Sequence, residues 1–376
     1  MNLPIYFDYA STTPVRSEVL SNMLPYFSTL YGNAGSNLHH FGWLAQEAID
    51  LSRNQIADFF DVKPSSIIYT SGATESNNLA IKGYLKGKSK GHLITSTIEH
   101  KAVLEIFSHL EQEGYSVTYL TPNEVGQITK DDLLNAIQTN TILVSLMMVN
   151  NEIGTISDYV AFKQICDAHA VCFHSDATQA IGKIKLDLTS LPHLMSFSGH
   201  KIYAPKGIGG LLVNNNIKIN ALFDGGGQER GIRSGTLPVP LIVGLGYAFT
   251  FIPEILSFEE THSNFNRKIK DVLLSNFNKH ILINSKSLNN ISSLLSISIH
   301  GVHWEDLFNS LTAIAVSNGS ACNVKATNPS HVLTALGHKR DLALSTLRIS
   351  LSYMTTAKEI DFLIHYLNEK LRKLLV

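Results

Sequence analysis

The sequence predicts an α/β fold, a large domain with a mostly parallel seven-stranded sheet between helices, joined to a smaller α+β domain. Three observations predict it. Seven short apolar runs alternate with longer amphipathic stretches up to about residue 255. Several of those runs are apolar on both faces, as a sheet buried between two helical layers requires. Beyond residue 255 the alternation stops and a long polar helical pattern takes over.

The strand-like runs are 66–69, 92–96, 116–120, 142–148, 170–175, 194–198 and 208–213. Helical patterns fall at 43–60, 76–87, 101–113, 130–138 and 159–168. Strand and helix alternating in this way place the helices as crossovers on a parallel sheet. In the second part a helix at 257–278 leads to strands at 281–284 and 294–299. Helices at 303–311 and 329–336, a strand at 347–351 and a closing helix at 356–375 follow. Residues 14–255 thus read as the large domain. Residues 256–376, with 1–13 folding back onto them, read as the small one.

Composition narrows the function classes. The 376 residues are 44% hydrophobic and only 16% charged, with a formal net charge of −1. A basic excess, the footprint of a nucleic-acid or membrane-surface binder, is missing, so neither partner is expected. The most apolar stretch, 237–255, contains Pro238, Pro240, Pro253 and Glu254 and reads as a turn plus buried helix rather than a span. The first residues have neither the basic nor the apolar region of a secretory signal. Three cysteines, an odd number set far apart, argue against a disulfide framework and for a reducing, cytoplasmic setting.

Five segments carry chemistry. Thr70-Ser-Gly-Ala-Thr-Glu-Ser76 follows a strand and opens a helix. Small residues there let backbone N–H groups approach an anion, so Ala73 and Thr74 form a candidate phosphate cup; the plainer reading is a helix cap by Ser71 or Thr74. His174-Ser-Asp-Ala-Thr-Gln179 ends a strand. A buried carboxylate needs a cationic partner, and Asp176 suits a pyridinium nitrogen, with Gln179 near the ring's phenolic oxygen. A metal at His174 and Asp176 lacks a further ligand set, so no metal is expected. In Ser196-Phe-Ser-Gly-His-Lys201 the lysine sits among small residues with few carboxylates near it in sequence. Burial keeps such an amine nucleophilic enough to attack an aldehyde. Lys206 is the competitor, read as structural. The glycine-dense 224–236 loop, with Arg230, Arg233 and Thr236, is either an anion-reading loop or a flexible turn. In Ser317-Asn-Gly-Ser-Ala-Cys322 the cysteine lies in a polar, small-residue stretch, and Lys325 favours its thiolate; Cys166 and Cys172 read as structural. Arg348, at a strand-like run, suits a carboxylate clamp or a structural ion pair.

Together these segments resemble the NifS/IscS-type cysteine desulfurases, in the class V aminotransferase group of fold-type I pyridoxal-phosphate (PLP) enzymes. The resemblance runs from Tyr6-Phe-Asp-Tyr-Ala-Ser-Thr-Thr-Pro14 to about residue 360. It includes Gly32-Asn33, Glu99-His-Lys-Ala-Val103 and Val149-Asn-Asn-Glu-Ile-Gly154. It implies that Lys201 carries PLP, that His100 stacks on the ring and assists proton transfer, and that Asp176 faces the pyridinium nitrogen. It places Asn151 and Gln179 near the ring oxygen, and Ala73, Thr74, Ser198 and His200 around the phosphate. Thr236 would reach the phosphate in a neighbouring subunit, which implies a homodimer. Arg348, with Asn33 and Asn151 nearby, would hold the substrate carboxylate. Cys322 would take sulfur from L-cysteine as a persulfide, leave L-alanine, and pass the sulfur to an acceptor protein.

The pattern departs from the family at three places: Ala204 stands for a usual Gly, Ala34-Gly35 for a Pro-containing step, and Asn318 for a common Ser. Few residues follow the closing helix. The resemblance therefore does not extend to the C-terminal tail by which housekeeping members engage an iron–sulfur scaffold, and a specialised acceptor is expected. The competing readings are a selenocysteine lyase, another class V aminotransferase or hydrolase, and a docking platform for sulfur-transfer partners. The intact set Lys201, His100, Asp176, Cys322 and Arg348 favours the desulfurase.

Overall fold

A computed structural model describes residues 3–214, 216–319 and 328–375 of the chain. The strands are β1 (Ile5–Tyr6), β2 (Ile67–Thr70), β3 (His92–Ser96), β4 (Ser116–Leu120), β5 (Thr141–Ser145), β6 (Cys172–Asp176), β7 (Leu194–Ser198) and β8 (Gly209–Val213). In the second part come β9 (Ile281–Ile283), β10 (Leu294–Ile299), β11 (Ile314–Ala315) and β12 (Thr346–Ser350).

Strands β2 to β8 form one sheet in the order β2-β8-β7-β6-β5-β3-β4, with β8 antiparallel to both of its neighbours and every other pairing parallel. The expected seven strands are therefore all present, and six of them end at the same edge. Strands β6, β7 and β8 are buried along their whole length, whereas the edge strand β4 is partly exposed. That is why the central runs hold apolar and small residues on both faces and the edge run does not.

Helices cover both faces. On one, His40–Phe60 and Val239–Thr250 pack with Phe60, Phe197 and Phe249, whose rings meet at 5.4–5.8 Å between centroids. On the other, Ala73–Leu85 and Lys101–Gln112 bury Leu79, Ile81, Ile106 and Phe107. The apolar stretch 237–255 is this buried helix. Among the described residues no single helix is long and apolar enough to cross a membrane.

The second part has its own core. The sheet β12-β10-β9 is antiparallel, and its residues Leu295, Ile297, Leu347 and Ile349 pack against helices Glu259–Phe277 and Ala357–Leu374. Ile5 and Phe7 belong to the same cluster, held by β1 pairing with β11.

Two local differences place the site. The run expected as a strand to residue 148 is β5 only to Ser145, but the Leu146 and Met148 N–H groups still donate to the His174 and Asp176 carbonyls of β6, both at 3.2 Å, and Leu146, Met147 and Met148 stay buried as the chain turns into the bridge Val149–Ile156. The helix expected at 76 begins at Ala73, because Gly72 takes φ +152°, a backbone angle other residues rarely adopt.

Candidate active site

The carboxyl ends of the parallel strands deliver the predicted residues to one cavity of about 550 Å³. Strand β2 leads to Gly72, Ala73 and Thr74, β3 to His100, β5 to Asn151, β6 to Asp176 and Gln179, and β7 to Ser198, His200 and Lys201. Arg348 enters from β12 of the second part. This is where ligands collect in open α/β sheets.

One wall suits an anion. The helix Ala73–Leu85 starts at the cavity with no side-chain cap, so neither Ser71 nor Thr74 acts as the cap that the plainer reading offered. Its first N–H groups face without intrahelical partners, and the dipole adds positive potential there. The close approach depends on glycine. A Cβ on Gly209 would stand 2.6 Å from the Gly72 Cα, and one on Gly210 would stand 2.3 Å from the Phe197 ring. His200 lies at the same wall, its Nδ1 3.1 Å from Thr12 Oγ1. Burial, with Lys201, Lys206 and Lys183 nearby, pushes its imidazole down to about 4, so at neutral pH it offers a hydrogen bond rather than a charge.

Asp176 ends β6 almost fully buried. Its Oδ2 accepts from Asn77 Nδ2 at 2.8 Å and its Oδ1 from the Thr178 N–H at 2.9 Å. Both donors are neutral. His174, two residues earlier, spends its ring nitrogens on Ser145 Oγ at 2.8 Å and Ser196 Oγ at 3.0 Å. Burial lowers it to about 4, so it is a neutral strut between strands rather than a metal ligand. Asn77 is the residue the sequence reading missed. Its spacing from Ala73, Ala80 and Ile81 places it on the buried stripe of its helix, and a polar residue on such a stripe is a signal for a partner.

Lys201 sits in the turn after β7, and its Nζ donates to the carbonyls of Ala10 and Ser11, both at 2.7 Å. Gln179 Nε2 donates to the same Ala10 carbonyl at 2.9 Å, and Gln179 Oε1 accepts from Lys183 Nζ. His100 precedes the helix Lys101–Gln112, with Nδ1 accepting from the Ala102 N–H at 3.1 Å. That contact places the neutral ring's proton on Nε2, and burial pushes the imidazole below its usual range.

Arg348 lines the cavity and is held in an ion pair. One guanidinium nitrogen donates to Asp8 Oδ1 at 2.8 Å and Ser11 Oγ at 2.6 Å, the other to the Asn151 carbonyl at 2.9 Å. Asn33 lies apart from Arg348. Within one chain it lines a different pocket, beside Arg53 and Gln228, and its Oδ1 accepts from the Gly35 N–H at 2.9 Å. Thr236 is exposed and also outside the cavity. Arg230 and Arg233 face elsewhere: Arg230 donates to the Ser65 carbonyl at 2.8 Å, and Arg233 pairs with Glu75 at 2.8 Å. Lys206, set aside as structural, lines the cavity too. Cys322 and Lys325 lie outside the described residues. Cys166 and Cys172 are buried, and burial raises both thiols, Cys166 to about 12; they are structural, as expected.

Residues 5–363 match the aminotransferase class-V family. The chain belongs to that family. It is similar, at 45% identity over 386 residues, to the cysteine desulfurase IscS of Buchnera aphidicola subsp. Acyrthosiphon pisum, with 100% of this chain and 94% of the relative covered. Among solved structures it is similar to a NifS-like protein, with TM-score 0.91, 34% identity and 99% and 100% of the two chains covered. A second, SspA in complex with cysteine, gives TM-score 0.82 and 40% identity over 92% and 98%.

Class-V aminotransferases use PLP, and the residues present fit it. An uncapped helix N-terminus suits the phosphate. A buried carboxylate supplied with neutral donors suits a cationic ring nitrogen. Lys201, whose amine donates to two carbonyls, stands in the same cavity.

Proposed function

We propose that this chain is a PLP-dependent cysteine desulfurase that carries PLP on Lys201, converts L-cysteine to L-alanine and leaves a persulfide on Cys322. The observation that supports this most directly is Asp176, a buried carboxylate with only neutral donors, in the same cavity as Lys201 and Arg348. When bound, PLP supplies an electron sink for the substrate's Cα–H bond. Asp176 holds that sink in its electron-accepting form, and Asn77 fixes the carboxylate. Arg348 binds the substrate carboxylate, which competes with Asp8 for the same nitrogen. Lys201 and His100, whose Nε2 bears the ring proton, move protons at the substrate carbons. Cys322 attacks the substrate sulfur: a sulfur–sulfur bond forms, the carbon–sulfur bond breaks, and its electron pair returns to the carbon that becomes the alanine methyl group. Of the two thiol hydrogens that enter, one ends on that methyl group and one on the persulfide.

The active unit we propose is a homodimer. Leu20, Leu24, Phe27, Tyr31, Leu38, Phe41 and Trp43 are all exposed within one short stretch, which also holds Asn33. A partner covering it accounts for Asn33 and Thr236 lying outside the cavity of a single chain. The persulfide sulfur goes to an acceptor protein, for iron–sulfur cluster assembly, tRNA thiolation or another sulfur transfer, and the setting is the cytoplasm. The test is purified protein with PLP and L-cysteine, assayed for alanine and persulfide together. Cys322→Ala should keep the yellow cofactor and form no persulfide, and Lys201→Ala should lose the lysine-linked absorbance. Persulfide formation by Cys322→Ala at the normal rate would refute the assignment.

A further inference from the structure

Glu152 lies in the turn that follows β5, and that turn is rigid. Asn150 Oδ1 accepts from the Glu152 N–H at 2.9 Å and the Ile153 N–H at 3.1 Å, while Asn150 Nδ2 donates to the Ile98 carbonyl at 2.9 Å. The turn is also tied to the substrate side of the cavity, since Arg348 donates to the carbonyl of the preceding residue, Asn151, at 2.9 Å. The Glu152 carboxyl is 4% exposed, and burial raises it above the usual carboxyl range, against the opposing pull of Ser330, His331, Arg348 and Lys101.

Its contacts are unusual in sequence terms. Oε2 accepts from the Ser330 hydroxyl. The same oxygen sits against Gly319, where a Cβ would stand 2.8 Å from it, and Gly319 has φ +89°. Gly319 and Ser330 flank the stretch that bears Cys322, three residues after the first and eight before the second. One buried carboxyl oxygen therefore meets both flanks. Each flank has further anchors: Ser317 pairs with Arg348 through two backbone bonds, and His331 Nε2 is 2.8 Å from the Glu99 carbonyl. Among the described residues, Glu152 touches both flanks. Ser330 Oγ also accepts from the Leu333 N–H at 3.1 Å, so its hydroxyl proton is directed at Glu152.

We propose that Glu152 is a positioning residue for the sulfur-transfer step, acting by tying both flanks of the Cys322 stretch to the turn that also holds Arg348. This rests on the desulfurase reading, and its test separates the two. A group that positions only the acceptor thiol should matter to persulfide formation and not to proton removal at the substrate Cα, which needs no Cys322. Two rates are measured on PLP-loaded enzyme: single-turnover persulfide formation from L-cysteine, and exchange of the Cα hydrogen of L-alanine with deuterium oxide. Glu152→Ala should lower the first by about 10²-fold, the scale set by an ångström-level misplacement, and leave the second within about threefold. Glu152→Gln, which keeps an acceptor oxygen, should recover most of the loss, and Ser330→Ala should reproduce part of it. Equal loss of both rates would make Glu152 a support of the whole site and overturn the proposal, as would an unchanged persulfide rate or a Gln variant no better than Ala. Wild-type enzyme that exchanges the alanine hydrogen yet forms no persulfide would instead refute the desulfurase reading.

Discussion

The buried Arg53–Glu229 ion pair is one of the contacts that fasten the loop 224–236, and its removal should be costly. Glu229 Oε1 accepts from one Arg53 nitrogen at 2.6 Å, and Oε2 accepts from the other at 3.0 Å and from the Tyr69 N–H at 2.9 Å. Both side chains are buried, and the guanidinium carbon lies 4.5 Å from the centre of the Tyr69 ring. Against this stands backbone strain: Glu229 and Arg230 have φ +48° and +59°, at about 1–2 kcal/mol each for residues with a Cβ. The anchor must exceed that sum for the loop to hold. Glu229→Ala leaves Arg53 buried and uncompensated, so the expected cost is about 3–5 kcal/mol. Glu229→Gly loses the same contacts but relieves the strain at one residue, and should be milder by about 1 kcal/mol. Arg53→Met combined with Glu229→Ala removes both charges, and the double variant should cost clearly less than the two single changes added. The assay is urea unfolding at fixed protein and PLP concentration, since anything that binds the folded state shifts its apparent stability. A Glu229→Ala cost below about 1 kcal/mol, or strict additivity in the cycle, would refute the reasoning.

Two further outcomes follow from the site. Arg348→Lys gives up the forked donor geometry and should raise KM for L-cysteine by about 10- to 100-fold, the value of a charged hydrogen bond or two, with little change in kcat; an unchanged KM in steady-state assays would place the substrate carboxylate elsewhere. Burial lifts Glu99 from 4.5 to about 8, so between those values the folded protein holds a proton that the unfolded chain releases, and stability falls as pH rises through the window. Glu99→Gln mimics the protonated acid and should gain on the wild type from pH 5 to 8, by on the order of 4 kcal/mol at most; parallel stability curves for the two proteins would show that Glu99 is ionised when folded.

Most of the large domain was legible because its strands obey a simple rule. A strand buried on both faces is rich in apolar and small residues, and β6, β7 and β8 are such strands, so their runs stood out and their ends located Asp176 and Ser198. The same rule holds past the end of β5 at residues 146–148, which are buried and still bond to β6 through the Leu146 and Met148 N–H groups. Short elements were illegible for a different reason. Helices Ser17–Met23 and Arg340–Leu344, and the two-residue strands β1 and β11, are too brief to show a period, and they exist because neighbours hold them. Within the site, residues joined by motif were found and residues joined by the fold were not. Asp176 and Gln179 share one segment, but Asn77, which holds Asp176, is 99 positions away from it, and Asp8 is 340 positions from Arg348.

Those long separations explain a feature of the charge distribution. Residues 8 to 11 reach both parts of the molecule: the carbonyls of Ala10 and Ser11 hold Lys201, while Asp8 and the Ser11 hydroxyl hold Arg348. The two cations are thus treated differently by one stretch of chain. From this stretch Lys201 receives two carbonyl dipoles. Arg348 is permanently charged and nearly fully buried, and a buried charge without a partner would cost several kcal/mol, so it receives a carboxylate. A substrate carboxylate entering the cavity then replaces part of an existing ion pair instead of neutralising a bare charge. The difference in affinity between substrates must come from the groups beyond that carboxylate, on the side where the Asn151–Glu152 turn and Gly319 meet.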